Sequence, residues 1–247
     1  MNQSVYKEVT EEIGNLLFPA RCPVCDKAVP YPNRKEGICT ECLKKLPFTN
    51  DNTCYKCGRQ LFDGQKEWCE DCIRTRQKHL YESGMALCSY DDLMRESVYR
   101  LKYGKRREYA KTYGQLMGKR FGEVLRSLKV SSIIPVPLHQ KRKKERGYNQ
   151  AAVLAREIGK TCGIPVYEDL VVRVRNTLPL KSMTSVQRQN NLKKAFKIRR
   201  NDVKLGVTIV IDDIYTTGST IDAVSEVLIK AGALRVYFMT LAIGEDF

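Results

Sequence analysis

Val207-Thr208-Ile209-Val210-Ile211-Asp212-Asp213-Ile214-Tyr215-Thr216-Thr217-Gly218-Ser219-Thr220 is the stretch that decides the fold of this chain. Val207 to Ile211 form a β-branched, mostly apolar run that reads as a buried parallel strand. Two carboxylates, Asp212 and Asp213, close the run. A turn bearing hydroxyls and glycine follows at Thr216 to Thr220, and Ile221, Val224, Val227 and Leu228 then repeat at helical spacing. Ligands of open α/β sheets bind beyond the carboxyl ends of the strands. A loop entering a helix presents free N–H groups and the positive end of the helix dipole, which suits a phosphate. Gly218 lets the backbone approach closely, and the threonine hydroxyls add donors. The acidic pair would repel that phosphate, so it needs another task. Hydrogen bonds to vicinal sugar hydroxyls, direct or through hydrated Mg²⁺, fit carboxylate chemistry.

The stretch resembles the PRPP-binding motif of the type I phosphoribosyltransferases, four apolar residues followed by D-D-x-x-T-T-G-x-T. Asp212, Asp213, Thr216, Thr217, Gly218 and Thr220 match every constrained position. The resemblance implies that these residues, with Ser219, hold Mg²⁺ with PRPP or a related ribose phosphate. An ordinary strand–turn–helix connection would seldom bring carboxylates, hydroxyls and glycine into this register. Binding PRPP does not by itself imply turnover.

The chain has 247 residues, enough for one ordinary domain and a small one. Lys and Arg outnumber Asp and Glu by 43 to 28, a formal charge of +15. Such an excess favours a polyanionic partner over a merely solvated basic surface. Met1 to Phe18 lacks the basic start of a signal peptide and carries Glu8, Glu11 and Glu12. No apolar run approaches transmembrane length. A cytoplasmic protein without a transmembrane segment is expected.

Residues 1–80 read as an N-terminal helix and a metal-binding domain. Val5, Val9, Ile13, Leu16 and Leu17 form a helical stripe whose polar face is acidic, which suits packing on protein rather than on a membrane. Four C-x-x-C pairs follow: Cys22/Cys25, Cys39/Cys42, Cys54/Cys57 and Cys69/Cys72. Two such pairs complete one tetrahedral thiolate shell, so two structural zinc ions are expected. Disulfides do not suit a reducing compartment, and four redox pairs in one small segment would be anomalous. Pairing of consecutive motifs is the simplest arrangement; an interleaved cross-brace stays open. Pro23 and Gly58 suit tight metal-binding turns. Cys88 and Cys162 lie among apolar neighbours and read as buried free thiols.

Residues 81–247 alternate strand and helix, predicting an α/β domain with a parallel sheet flanked by helices. Met85 to Cys88 reads as a strand, and Leu93 to Tyr103 as a helix with Val98, Leu101 and Tyr99 on its apolar side. A long helix is expected over Glu108 to Leu128. Tyr109 and Tyr113 on it suit helix packing better than base stacking. Ile133 to Leu138 reads as a strand closed by prolines. The next segment, Lys141-Arg142-Lys143-Lys144-Glu145-Arg146, is basic at five of six positions. It reads as a loop at a strand's carboxyl end, beside the 212–220 turn, where anion binding is favoured. Asn149 is expected to cap the following helix. Arg173 to Asn191 reads as a mobile polar loop, and Arg235 to Ile243 as the last strand.

The segment PVPLHxxRxxxRGYNQ, from Pro135 to Gln150, resembles the hallmark of the ComF/GntX family. So do FPARCPVC at Phe18 to Cys25, the four C-x-x-C pairs, LKYG at Leu101 to Gly104, RVRNT at Arg173 to Thr177, and Arg188-x-x-Asn191 followed by Ala195-Phe196. The features run in the family's order along essentially the whole chain. One departure is Leu180, where the family commonly carries glutamine. The resemblance implies a double zinc ribbon, a type I phosphoribosyltransferase-like domain, and a role in handling single-stranded DNA during competence and DNA uptake. Lys102, Lys105, Arg106, Arg107, Lys141, Arg142, Lys143, Lys144 and Arg146 would then neutralise nucleic-acid phosphates, and the zinc modules could dock a competence helicase or another DNA-uptake protein. The alternative is an active phosphoribosyltransferase. Asp212 and Asp213 would then be its catalytic pair, and Arg142, Arg146 and Lys102 would face pyrophosphate. An assembly adaptor is a third class.

Overall fold

A computed structural model describes residues 19–30, 36–62, 67–75, 78–175, 192, 195–200, 202–203 and 205–244. The stripe from Val5 to Leu17, Leu180, and the polar loop beyond residue 175 with Arg188 and Asn191 lie outside the described residues.

The sheet has four strands, β1 (Gly84–Ser89), β2 (Ser132–Pro135), β5 (Val207–Tyr215) and β6 (Arg235–Ile243), in the order β1-β6-β5-β2. Every pairing in it is parallel, as the strand–helix alternation predicts. A two-stranded antiparallel ribbon, β3 (Val171–Arg173) with β4 (Phe196–Ile198), stands apart from it.

Side-chain alternation divides the interior into two layers. Ile209, Ile211, Tyr237, Met239 and Leu241 face one layer, with α3 (Asp92–Tyr103), α4 (Arg107–Ser127) and α6 (Gln150–Cys162). Val210, Val236 and Phe238 face the other, with the β3–β4 ribbon and α7 (Ser219–Lys230). The cysteine-rich segments share these layers. Cys22, Val24, Ile38 and Leu46 pack in the first, and Cys54, Cys57, Leu61 and Cys72 in the second. The two halves of that segment thus cover opposite faces of one sheet.

Several local expectations need correction. The motif strand does not end at Ile211; it carries both carboxylates and runs to Tyr215, because β6 continues to pair with it up to Ile243. The basic run is not a loop but a short helix, α5 (Gln140–Arg146), which the imidazole of His139 caps by accepting from Lys141 N. Gly147, with φ +80°, ends it. Asn149 occupies the N-cap of α6 without capping it; its amide donates instead to Val136 O at 3.0 Å. Tyr99 points to solvent at 64% exposure, whereas Tyr109 and Tyr113 are fully buried, as helix packing requires. Cys88 is buried and Cys162 half-buried.

Candidate functional site

The two metal clusters repeat one design. Each begins in a tight turn where the first cysteine's carbonyl accepts from the residue four positions on: Asp26 N to Cys22 O at 2.9 Å and Gly58 N to Cys54 O at 2.8 Å. Both residues have positive φ. Glycine is required at 58, since a Cβ there would lie 2.5 Å from Gly84 O. The second pair in each cluster stands at a helix start. Cys39 precedes α1 (Thr40–Lys45), which holds Cys42, and Cys69 precedes α2 (Glu70–Arg74), which holds Cys72. Cys22, Cys25, Cys39 and Cys42 gather in one cluster and Cys54, Cys57, Cys69 and Cys72 in the other, the sulfurs within 4.8 Å of one another. The motifs are therefore paired consecutively. Sulfur–sulfur separations of 3.7 and 3.8 Å in the first and 3.6 Å in the second fit a tetrahedron. Zn–S bonds of about 2.3 Å set its edge at about 3.8 Å. Four thiolates leave no open position, so these two zinc sites are structural.

The second cluster sits against the 212–220 motif. Arg59, directly after the Cys54 turn, is nearly buried and ion-paired with Asp71. Its guanidinium also donates to Gly244 O at 2.7 Å and to Thr216 O at 3.3 Å. Below the turn, His79 stacks on Tyr81, the Tyr81 and Tyr215 hydroxyls share a 2.6 Å hydrogen bond, and Tyr215 stacks on Phe238. Asp222, in the first turn of α7, binds His79 Nδ1 at 2.6 Å and accepts from Leu80 N at 2.9 Å. Gly218 has φ +77°, and a Cβ there would meet the Tyr215 hydroxyl at 2.8 Å and the Tyr81 hydroxyl at 3.1 Å. The glycine thus meets a backbone demand and a packing demand together. A cleft of about 300 Å³ lies between the second cysteine cluster and the turn, lined among others by Arg59, Arg74, His79, Thr216, Thr217 and Ser219. Thr216 is exposed, Thr217 and Thr220 are half-buried and Ser219 is buried, with Thr217 Oγ1 2.9 Å from Ser219 Oγ.

Asp212 and Asp213 sit on adjacent positions of β5, and Asp213 N donates to Asp212 Oδ1 at 2.8 Å. Burial, with the neighbouring Asp213 charge second, pushes the Asp212 carboxyl up to about 7; Lys102 and Arg173 oppose the rise. Lys102 is not an open cation. Its ammonium lies 3.1 Å from Asp213 Oδ1, both side chains being largely enclosed. Arg173, at the end of β3, is within electrostatic reach of Asp212 and Arg142; burial first and Arg142 second lower its guanidinium to about 10. It also lies over the Phe196 ring.

The basic residues divide into enclosed and exposed groups. Arg142 and Arg146 are half-buried, while Lys141, Lys143 and Lys144 project from α5 into solvent. Arg146 bonds to Gln150 Oε1 at 3.2 Å and lies over the Tyr103 ring. Lys105 and Arg107 are exposed, and Arg106 is 3.6 Å from Glu108. Tyr148 donates to Leu101 O, joining the turn after α5 to the end of α3. The LKYG and RGYNQ segments are therefore neighbours in space.

Arg59, His79, Tyr81 and Asp222 were not singled out from the sequence. Nothing distinguishes Arg59 there except its place after C-x-x-C-G, and Tyr215 occupies an unconstrained motif position.

Four parallel strands, a D-D-x-x-T-T-G-x-T motif spanning the end of β5 and the turn after it, and two four-cysteine clusters define a phosphoribosyltransferase-like sheet joined to a double zinc ribbon. Residues 13–73 match the family model described as the double zinc ribbon domain. Along most of its length the chain is similar to ComF-type proteins. It is 27% identical to Competence protein F of Haemophilus influenzae over 84% of this chain and 91% of that one. It is 26% identical to Competence protein ComFC of Bacillus subtilis over 91% and 95%, and 26% identical to DNA utilization protein YhgH of Escherichia coli K12 over 90% and 96%. The ComF/GntX resemblance read from the motifs is thereby borne out. Among solved structures, an adenine phosphoribosyltransferase aligns at TM-score 0.38 and 15% identity, over 59% of this chain and 84% of that one. A purine phosphoribosyltransferase from Pyrococcus horikoshii aligns at TM-score 0.33 and 18% identity, over 54% and 80%. These likenesses are slight, and it is the strand order and the motif that carry the fold. No helix among the described residues is long and apolar enough to cross a membrane.

Proposed function

We propose that this protein handles single-stranded DNA during DNA uptake and couples that task to a ribose-phosphate pocket that takes Mg²⁺ with PRPP or a related compound. One observation carries the reading. β2 and β5 are adjacent and parallel, with Pro135 opposite Ile211, so the basic helix α5 and the Thr216–Thr220 turn both follow the carboxyl end of the sheet, where β5 carries Asp212 and Asp213. An anion-binding turn, a carboxylate pair and a row of exposed lysines then share one rim. Asp212 and Asp213 would engage ribose hydroxyls and hydrated Mg²⁺. The N–H groups and hydroxyls of Thr216 to Thr220 would take the 5-phosphate, and Arg142 with Arg146 the adjacent phosphates. Lys105, Arg107, Lys141, Lys143 and Lys144 would follow the DNA backbone. The relatives named for competence and DNA utilization support this reading, and a cytoplasmic location and a DNA-uptake partner accord with it.

Fluorescence anisotropy of labelled single-stranded DNA over a salt series, with and without Mg-PRPP, tests it. Log affinity should fall with log salt by about 0.7 per phosphate neutralised, and Mg-PRPP should shift the curve. Absent binding at low salt refutes the reading. The intact motif also favours a second reading, phosphoribosyl transfer. Pyrophosphate release from PRPP across nucleobase, amine and nucleic-acid acceptors decides it.

A further inference from the structure

We propose that Tyr99 and Tyr103 on α3, with Arg146 from α5, form a stacking platform for the bases of single-stranded DNA; this rests on the DNA-handling reading above. The buried face of α3 is Met94, Ser97, Val98 and Leu101. Tyr99 and Tyr103 lie off that face, four residues apart and so one above the other on the helix. They are 64% and 58% exposed, with ring centroids 4.9 Å apart. The Arg146 guanidinium lies 5.3 Å from the centroid of the Tyr103 ring. Two exposed rings tilted 43° to one another, with a planar cation over one of them, supply π surface on which bases stack without sequence preference.

The surrounding charge points to the same occupant. Lys105 and Arg107 follow α3 in the chain and are exposed, and Lys141, Lys143 and Lys144 project from α5. The acidic residues of α3 are engaged within the helix, Asp92 with Arg95 and Glu96 with Arg100. Glu145 is the one acidic residue of α5. An apolar peptide would be met by aliphatic side chains, whereas rings among cations match bases among phosphates. Lys102, beside Tyr103, is ion-paired with Asp213. The helix that carries the platform therefore also reaches the carboxylate pair, through Lys102.

The test uses the full zinc-loaded chain and two labelled oligonucleotides of equal length, oligo-dT and its abasic counterpart, in anisotropy titrations at fixed salt. The wild type should bind oligo-dT more tightly than the abasic strand. The double variant Y99A/Y103A should weaken oligo-dT binding by about 5- to 150-fold while leaving abasic affinity and the salt slope unchanged. Y99F/Y103F, which keeps both rings, should bind as the wild type does. Equal wild-type affinity for the two strands, or an alanine variant indistinguishable from wild type, overturns the platform and leaves DNA binding through phosphates standing. Failure of the wild type to bind either strand overturns the platform and the DNA-handling reading together.

Discussion

Replacing Asp212 with asparagine should stabilise the folded protein at alkaline pH while removing its affinity for Mg-PRPP. Asparagine keeps the shape and the oxygen that accepts from Asp213 N, and it removes a charge held among enclosing groups beside a second carboxylate. The folded value of Asp212, about 7, stands above the ordinary carboxylate value of 3.8 that the unfolded chain would show. Below the lower value both states are protonated, and the stability is fully present. As pH rises towards the upper value, only the unfolded chain has ionised, and the stability is lost. At about 1.4 kcal/mol per pH unit, the whole loss is about 4 kcal/mol. Of this, about 1.4 kcal/mol falls between about pH 6 and pH 8.5, where the thiolate clusters stay intact.

The assay is thermal or urea unfolding of wild type and D212N at both pH values in zinc-containing buffer. Taking the difference cancels the pH dependence of the zinc sites. The gap in favour of D212N should widen by about 1.4 kcal/mol, or roughly 3–6 °C in melting temperature, between the lower and the higher pH. K102M supplies a check of sign. Without the Lys102 ammonium, Arg173 is the one cation left to oppose the Asp213 charge on Asp212, the folded value rises further, and the alkaline loss should grow. Parallel pH curves for wild type and D212N would refute the reasoning, because they would mean that Asp212 ionises in the folded protein as it does in the open chain.

Three further outcomes are expected. R59A removes the guanidinium that joins Asp71 to Thr216 O and Gly244 O; it should weaken Mg-PRPP binding by calorimetry and cost about 2–4 kcal/mol in unfolding. R59K should recover little, because an ammonium cannot reproduce the fork. G218A imposes a positive φ on a side chain and presses a methyl against the Tyr215 and Tyr81 hydroxyls; it should cost about 1–2 kcal/mol from the backbone alone and reduce phosphate affinity, where A231G should do neither. Zinc released by denaturation and measured with a chromogenic chelator should be two ions per chain, falling to one in C22S or C54S. C54S should mainly lower Mg-PRPP affinity, and C22S mainly single-stranded DNA affinity.

The parts of this molecule that were legible in its sequence are those fixed by local periodicity or fixed spacing. The β-branched run at Val207 to Ile211 could only be a buried strand, and four C-x-x-C pairs could hardly be anything but two thiolate shells. The strand's extension through Asp212 and Asp213 was not legible, because carboxylates seldom occupy a strand and only the pairing of β6 as far as Ile243 keeps them in one. The helix at Gln140 to Arg146 was hidden by its charge, since a run without apolar residues has no face to read. Lys102 looked like one more surface cation because sequence spacing does not reveal a partner 111 positions away. Arg59 was silent for the same reason, its contacts just after β5 and β6 being set by tertiary packing alone.

The two ribbons are better understood as buttresses than as an appended domain, and each supports a different half of the rim. The first holds α3. Ser97 donates to Pro23 O at 2.6 Å and Arg100 to Val24 O at 2.6 Å, both carbonyls lying within the Cys22–Cys25 turn. α3 in turn carries Lys102 and the Tyr99–Tyr103 pair. The second ribbon holds the Thr216–Thr220 turn through Arg59, and its Lys56 ammonium donates to Tyr81 O at 2.5 Å beneath Gly218. A tetrathiolate zinc fixes the backbone of its turn within tenths of an ångström, which short loops with few large apolar residues cannot do by packing. The carbonyls of Pro23 and Val24, and the start of the Arg59 side chain, are therefore positioned by metal. The unequal effects expected of C22S and C54S follow from this division, because each cysteine change loosens the face of the sheet on which its own cluster stands.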